Sequence, residues 1–142
     1  MLVRESLHNA PVTVPPTARI EEAATLMAKH GVGALMVVSA GELLGIVTDR
    51  DICVRGVGAG LPVSEPISTV MTPHPLTIEG SADILDAFKL FQKGPGRRLP
   101  VLEEGELAGI ISVDDLLVAL VLEFSAAITP IAREVVAPEV TS

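Results

Sequence analysis

Tryptophan and tyrosine are absent, and three phenylalanines are the only aromatic side chains among 142 residues. Any core must therefore be aliphatic. A single cysteine, Cys53, excludes a disulfide framework within the chain and leaves too few thiolates for a Cys-based zinc site. The expectation is a reducing compartment. Basic residues are few, with 10 Lys and Arg against 18 Asp and Glu, for a formal net charge of −8. No basic excess exists to neutralise a phosphate backbone, which argues against nonspecific nucleic-acid binding. A small anion needs only one or two local arginines and stays possible. The longest apolar run, Leu116 to Leu122, lies between Asp115 and Glu123. It falls well short of the ~20 residues of a membrane span. The first seven residues contain no apolar signal core. The sequence thus predicts a soluble, cytoplasmic protein with no membrane partner.

Aliphatic material is abundant: 49% of residues are hydrophobic and the mean hydropathy is +0.53. It is arranged as a repeat. Leu35-Met-Val-Val-Ser-Ala-Gly-Glu-Leu-Leu-Gly-Ile-Val-Thr aligns without a gap on Leu99-Pro-Val-Leu-Glu-Glu-Gly-Glu-Leu-Ala-Gly-Ile-Ile-Ser, at an offset of 109 − 45 = 64. The same offset pairs Thr13 with Thr77, Ile20 with Ile84, Ala23 with Ala87, Met27 with Phe91 and Asp51 with Asp115.

Each copy opens with a short extended piece, at 12–14 and at 76–78. A helix follows, with apolar residues at Ile20, Ala23, Ala24 and Met27, or at Ile84, Ala87, Phe88 and Phe91. Two apolar strands come next, near 34–38 and 43–48, and near 98–102 and 107–112. Gly41 and Gly105 sit in their tight connections, where positive φ suits glycine. A second helix starts near 49 and near 113. The predicted class is α/β, more closely α+β: tandem βαββα motifs packed sheet to sheet about a pseudo-twofold axis. The expected boundaries are 7–57, a linker over 58–69, 70–122, and a C-terminal helix and tail over 123–142. In that tail Leu117, Leu120, Val121, Phe124 and Ile128 recur at helical spacing. They should be covered by the body or by a second chain, in a flat twofold dimer, and Pro130 should bend or end the helix.

The repeated chemical motif is Gly-apolar-apolar-(Thr/Ser)-x-x-Asp at the exit of the last strand. Thr48 with Asp51, and Ser112 with Asp115, fit a capping box at a helix start. The same geometry suits a nucleotide. Backbone N–H groups there favour a phosphate, a hydroxyl can donate to it, and a carboxylate three residues on can accept both ribose hydroxyls. The two readings are compatible. Arg97-Arg98 reads as either a solvated turn or a phosphate contact. His8, His30 and His74 lack metal-ligand spacing, Cys53 reads as a buried inert thiol, and no Walker A loop occurs.

Taken together, Ala10-Pro-Val-Thr-Val-Pro, Glu22-Ala-Ala-Thr-Leu-Met, Gly45-Ile-Val-Thr-Asp-Arg-Asp-Ile, Val70-Met-Thr-Pro-His-Pro-Leu-Thr-Ile, Arg97-Arg-Leu-Pro-Val and Gly109-Ile-Ile-Ser-Val-Asp-Asp-Leu resemble the cystathionine-β-synthase (CBS) domain family, from about Leu7 to Leu117. The resemblance implies a tandem pair, or Bateman module, that binds adenosine-containing ligands of the AMP, ADP and ATP class between its two motifs. It implies a regulatory homodimer rather than an enzyme, with no catalytic cofactor, no metal and an effector protein as further partner. Carried over by position, Thr48, Asp49 and Asp51 serve one cleft and Ser112 and Asp115 the other. Arg97 and Arg98 are expected at the phosphate end of the first cleft only, because Gly33 and Ala34 hold the matching places for the second. The alternatives are an interaction module without ligand and an S-adenosylmethionine sensor.

Overall fold

A computed structural model describes residues 1–7, 10–94 and 96–136. Strand β1 (Thr13–Val14) leads to helix α1 (Ile20–His30), then to the hairpin β2 (Ala34–Ser39) and β3 (Glu42–Thr48). A three-residue helical turn, α2 (Asp49–Asp51), runs on as a wider π-turn over Ile52–Val57. The second copy follows as β4 (Thr72–Pro73), β5 (Ile78–Glu79), α3 (Ile84–Lys93), β6 (Arg98–Glu103), β7 (Glu106–Ser112) and α4 (Val113–Val136). The sheets have orders β1-β2-β3-β4 and β5-β6-β7.

The repeat is visible residue by residue. Val14 pairs with Val37 and Ile78 with Val101; both hairpins carry a register shift, after Val37 and after Val101. The hairpin turns use positive φ at both central residues, Ala40-Gly41 and Glu104-Gly105. Such turns match the right-handed strand twist, and Ala40 and Glu104 accept the less favourable half of that geometry. Helix α1 buries Ile20, Ala23 and Met27 and stops at Gly31, whose φ of 64° lets its N–H close on the Met27 carbonyl. Ala24, expected on that face, is exposed.

Two aliphatic cores result, and each borrows from the other copy. Val3–Ser6 and Ile67–Thr69 are repeat-equivalent 3-10 turns, since 67 − 3 = 64. The first docks on the second copy: Val3 N–H donates to the Ala82 carbonyl and Arg4 N–H to that of Gly80. The second docks on the first copy: Ile67 N–H donates to Ala18 and Ser68 N–H to Pro16. Val3 is fully buried with Ile84, Val101 and Ile111; Ile67 and Val70 are fully buried with Ile20, Leu35 and Val47. The two turns are exchanged arms. Thus Ile67, within the linker expected from sequence, and Val70, expected to open the second motif, both pack in the first core.

The exchange explains the glycine of the repeated motif. A Cβ on Gly45 would lie 2.6 Å from Met71 Sδ and 2.8 Å from the Thr72 carbonyl oxygen, and one on Gly109 would lie 3.0 Å from Leu7 Cδ1. Met71 and Leu7 are themselves 64 apart, so each arm's exit crosses the other copy's last strand where no side chain stands.

Two expectations are corrected. Cys53 is exposed, because the inward residue of its turn is Gly56, against Ile20 and Val70. Helix α4 does not end at Pro130 but continues to Val136. Proline there removes one N–H bond on an exposed face, and the turns on either side persist. Helix α4 meets the body through Leu116, Ala119 and Leu120; of the five residues expected on the tail's apolar face, Leu120 packs on the body, and Leu117, Val121, Phe124 and Ile128 stay exposed in the single chain. By length and composition alone, Val113–Val135 could cross a membrane, with mean hydropathy 1.8. Its first two turns, however, are committed to the second core.

Candidate functional site

Both capping boxes form. Thr48 N–H donates to Asp51 Oδ2 at 2.9 Å and Asp51 N–H donates to Thr48 Oγ1 at 3.1 Å. Ser112 and Asp115 repeat this at 3.0 and 3.1 Å. The caps leave capacity unused. Each hydroxyl accepts through its oxygen and keeps its own proton to donate, and each carboxylate keeps Oδ1 for another donor. In Asp51 that oxygen sees, among the charged groups of the described residues, Arg55 at 4.0 Å. Local structure and ligand contact therefore draw on different atoms of the same side chains.

A cleft of about 650 Å³ opens over the first box. That volume lies within the range of small-molecule sites. Thr48 and Asp51 line one end with Arg97 and Arg98. Ile46 of β3 and Leu99 of β6 both line it, so each sheet contributes to its wall, and Leu76 and Phe91 extend the apolar surface. Phe91 supplies a ring that can pack on a flat heterocycle. Arg50 lines the cleft as well. Among the described residues, Arg50, Arg97 and Arg98 make no ion pair with any carboxylate, whereas Arg4, Arg19, Arg55 and Lys89 all do. Three uncommitted guanidinium groups around one cleft of an acidic protein form a local anion site.

A smaller cleft, of about 370 Å³, opens over the second box. Ser112, Asp114, Asp115, Gly33 and Ala34 line it as expected, and so does Arg98. The expectation that both arginines serve only the first cleft is thus corrected. Arg97 lines the first alone; Arg98 stands in the wall between the two. Its Nη2 would lie 3.2 Å from a Cβ on Gly33, and Asp49 Oδ2 3.1 Å from the same point. Glycine at 33 leaves the room that brings this guanidinium to the second cleft. Asp49 itself is exposed, lines neither cleft, and bonds through Oδ1 to the Arg50 N–H.

Sequence reasoning missed His74, Leu76 and Arg50. His74 holds a left-handed φ of 48°, its N–H bonded to the Leu44 carbonyl, and lines the first cleft. Its position follows from β4 pairing Thr72 with Ile46, a contact without a periodic signature. Among the described residues no cluster of His, Cys, Asp or Glu could hold a metal ion.

Two βαββα copies with exchanged arms, enclosing two unequal clefts, define a tandem-repeat module. The CBS domain model matches residues 3–57 and 67–122, and the chain belongs to the CBS-domain family. The chain is 37% identical over 116 residues to the CBS domain-containing protein YhcV of Bacillus subtilis, covering 82% of this chain and 83% of that protein. The CBS domain protein PAE2072 of Pyrobaculum aerophilum, solved in complex with AMP, superposes with a TM-score of 0.79 at 29% identity, over 89% of this chain and 99% of that one. The CBS-domain protein ATU1752 of Agrobacterium tumefaciens superposes with a TM-score of 0.75 at 34% identity, over 84% and 99%.

Proposed function

We propose that this protein is a regulatory sensor of adenine nucleotides of the AMP, ADP and ATP class, without catalytic activity of its own. It works as a cytoplasmic homodimer whose ligand state is read by an effector protein. One observation carries the ligand reading: three arginines with no ion pair among the described residues surround an apolar cleft that also presents a hydroxyl proton and a carboxylate oxygen, Asp51 Oδ1, that accepts no hydrogen bond there and has Arg55 at 4.0 Å. In this reading the purine lies between Ile46, Leu76 and Phe91, Asp51 Oδ1 accepts from the ribose, and Thr48 with Arg97 and Arg98 holds phosphate. The AMP bound by the Pyrobaculum relative supports the assignment. The part of α4 clear of the core, 121–136, spans ~24 Å, less than the ~30 Å of a bilayer interior, and carries Glu123, Arg133 and Glu134. That supports a site away from the membrane.

The smaller cleft offers one arginine against Asp114 and Asp115. It suits a less anionic adenosyl ligand, and S-adenosylmethionine, with its cationic sulfonium, is the second reading for that cleft. Thermal melting with AMP, ADP, ATP, adenosine and S-adenosylmethionine tests both. A ligand at a hundred times its Kd stabilises by about 2.7 kcal/mol. No shift with any of the five leaves the interaction module without ligand.

A further inference from the structure

The two copies keep their capping residues and change their charges. At the offset of 64, Asp49 stands where the second copy has Val113, and Arg98 where the first copy has Ala34. The two charged members of these pairs meet beside Gly33. Asp49 N–H donates to the Gly33 carbonyl at 3.0 Å, which sets the start of α2 against the entry to β2. Asp49 Oδ1 accepts from the Arg50 N–H at 2.8 Å, so that oxygen is engaged and Oδ2 is left. A Cβ on Gly33 would lie 3.1 Å from Asp49 Oδ2 and 3.2 Å from Arg98 Nη2. The two charged atoms are therefore at most 3.1 + 3.2 = 6.3 Å apart. Among the described residues they nevertheless form no ion pair. Asp49 lines neither cleft, whereas Arg98 lines both.

We infer that Asp49 is a positioning residue that sets how strongly the first cleft responds to ligand charge, by holding the Arg98 guanidinium in the wall between the two clefts. The inference rests on the nucleotide reading above and adds a determinant of specificity to it. A carboxylate at this range attracts the guanidinium without capturing it. A phosphate entering the first cleft must draw Arg98 against that attraction. The opposition grows with the negative charge of the ligand and vanishes for adenosine. Asp49 thus narrows the gap in affinity between AMP and ATP that three arginines would otherwise open. Glycine at 33 is the condition for this, because any side chain there would stand between the two charges. Asp49 is exposed, so water and salt screen its effect, which amounts to roughly a few-fold in affinity for each unit of ligand charge.

The test is calorimetry of the full chain with adenosine, AMP and ATP in magnesium-free buffer, at low and at physiological ionic strength. Asp49→Asn removes the charge and keeps an Oδ1 acceptor for the Arg50 N–H, so thermal melting should not move. At low salt the variant should bind AMP about threefold and ATP about tenfold more tightly, and adenosine within about twofold of wild type. Both gains should shrink at the higher ionic strength. In an Arg98→Ala background the same substitution should leave all three affinities within about twofold, because Asp49 acts through the guanidinium. Weaker AMP binding by Asp49→Asn would make Asp49 a direct ligand contact. Equal changes for all three ligands would make it structural, and a full gain without Arg98 would reduce it to plain repulsion of the phosphate. Each of these results, or no change at all, overturns the inference while leaving the nucleotide reading standing. A wild type that binds none of the three overturns both.

Discussion

Replacing Arg98 by alanine isolates the charge at the centre of the proposed site. Arg98 begins β6, and its backbone pairs with Ser112, so truncation beyond Cβ leaves the strand in place. The guanidinium makes no ion pair among the described residues, so its removal leaves no carboxylate orphaned. A charge-assisted hydrogen bond contributes roughly 1.5–3 kcal/mol. At 1.4 kcal/mol per factor of ten, AMP and ATP should bind about 10- to 150-fold more weakly. Adenosine keeps its purine and ribose contacts and should change by less than about twofold. Calorimetry of wild type and Arg98→Ala with AMP and adenosine, at two ionic strengths, reads this. The AMP affinity of the wild type should fall with salt, and that of the variant should fall less. Equal losses for AMP and adenosine, or an unchanged AMP affinity, would refute the placement of phosphate at Arg98.

Arg98 also lines the second cleft, so AMP saturating the first should lower the affinity of the second for an anionic ligand; sequential titration checks this, and independent sites would contradict it. Asp51→Ala should abolish ribose recognition for adenosine and AMP alike and, because Thr48 N–H loses its carboxylate acceptor while Thr48 still caps the turn, cost about 1 kcal/mol in a denaturant melt. Gly45→Ala should destabilise by roughly 1–3 kcal/mol, because the new methyl meets the Thr72 backbone at 2.8 Å. Gly109→Ala meets only the flexible tip of Leu7 and should cost less than about 1 kcal/mol; the reverse order in thermal melts would contradict the crossing described above.

What could be read in the sequence was local. The hairpins and the capping boxes follow from residues within a few positions of one another, and the offset of 64 from laying one such local pattern over the other. The exchanged arms were illegible for a reason of symmetry. Val3 and Ile67 keep the same offset whether each packs on its own copy or on the other, so the repeat cannot distinguish the two arrangements. The sidedness of α4 was lost in a similar way. Leu116 and Leu117 are neighbours about 100° apart on the helix; periodicity finds apolar stripes and does not say which one meets the core. The double duty of Arg98 depends on the space at Gly33, 65 positions earlier, which no local pattern encodes. Cys53 was misplaced because its turn is a π-turn, whose inward position falls on Gly56.

The exchanged arms also set an order of events during synthesis. Residues 1–7 are made before the first copy, yet their seat at Gly80, Ala82 and Ile84 is made after it. At about 5–20 residues per second, Val3 and Leu7 wait roughly 4–15 seconds for that seat. The first core waits less, since Ile67 and Val70 follow soon after Val57. The nascent chain therefore closes its first copy with the second copy's arm while its own arm is still unpaired. The arm made ahead of the first copy is packed only once the second copy has been made.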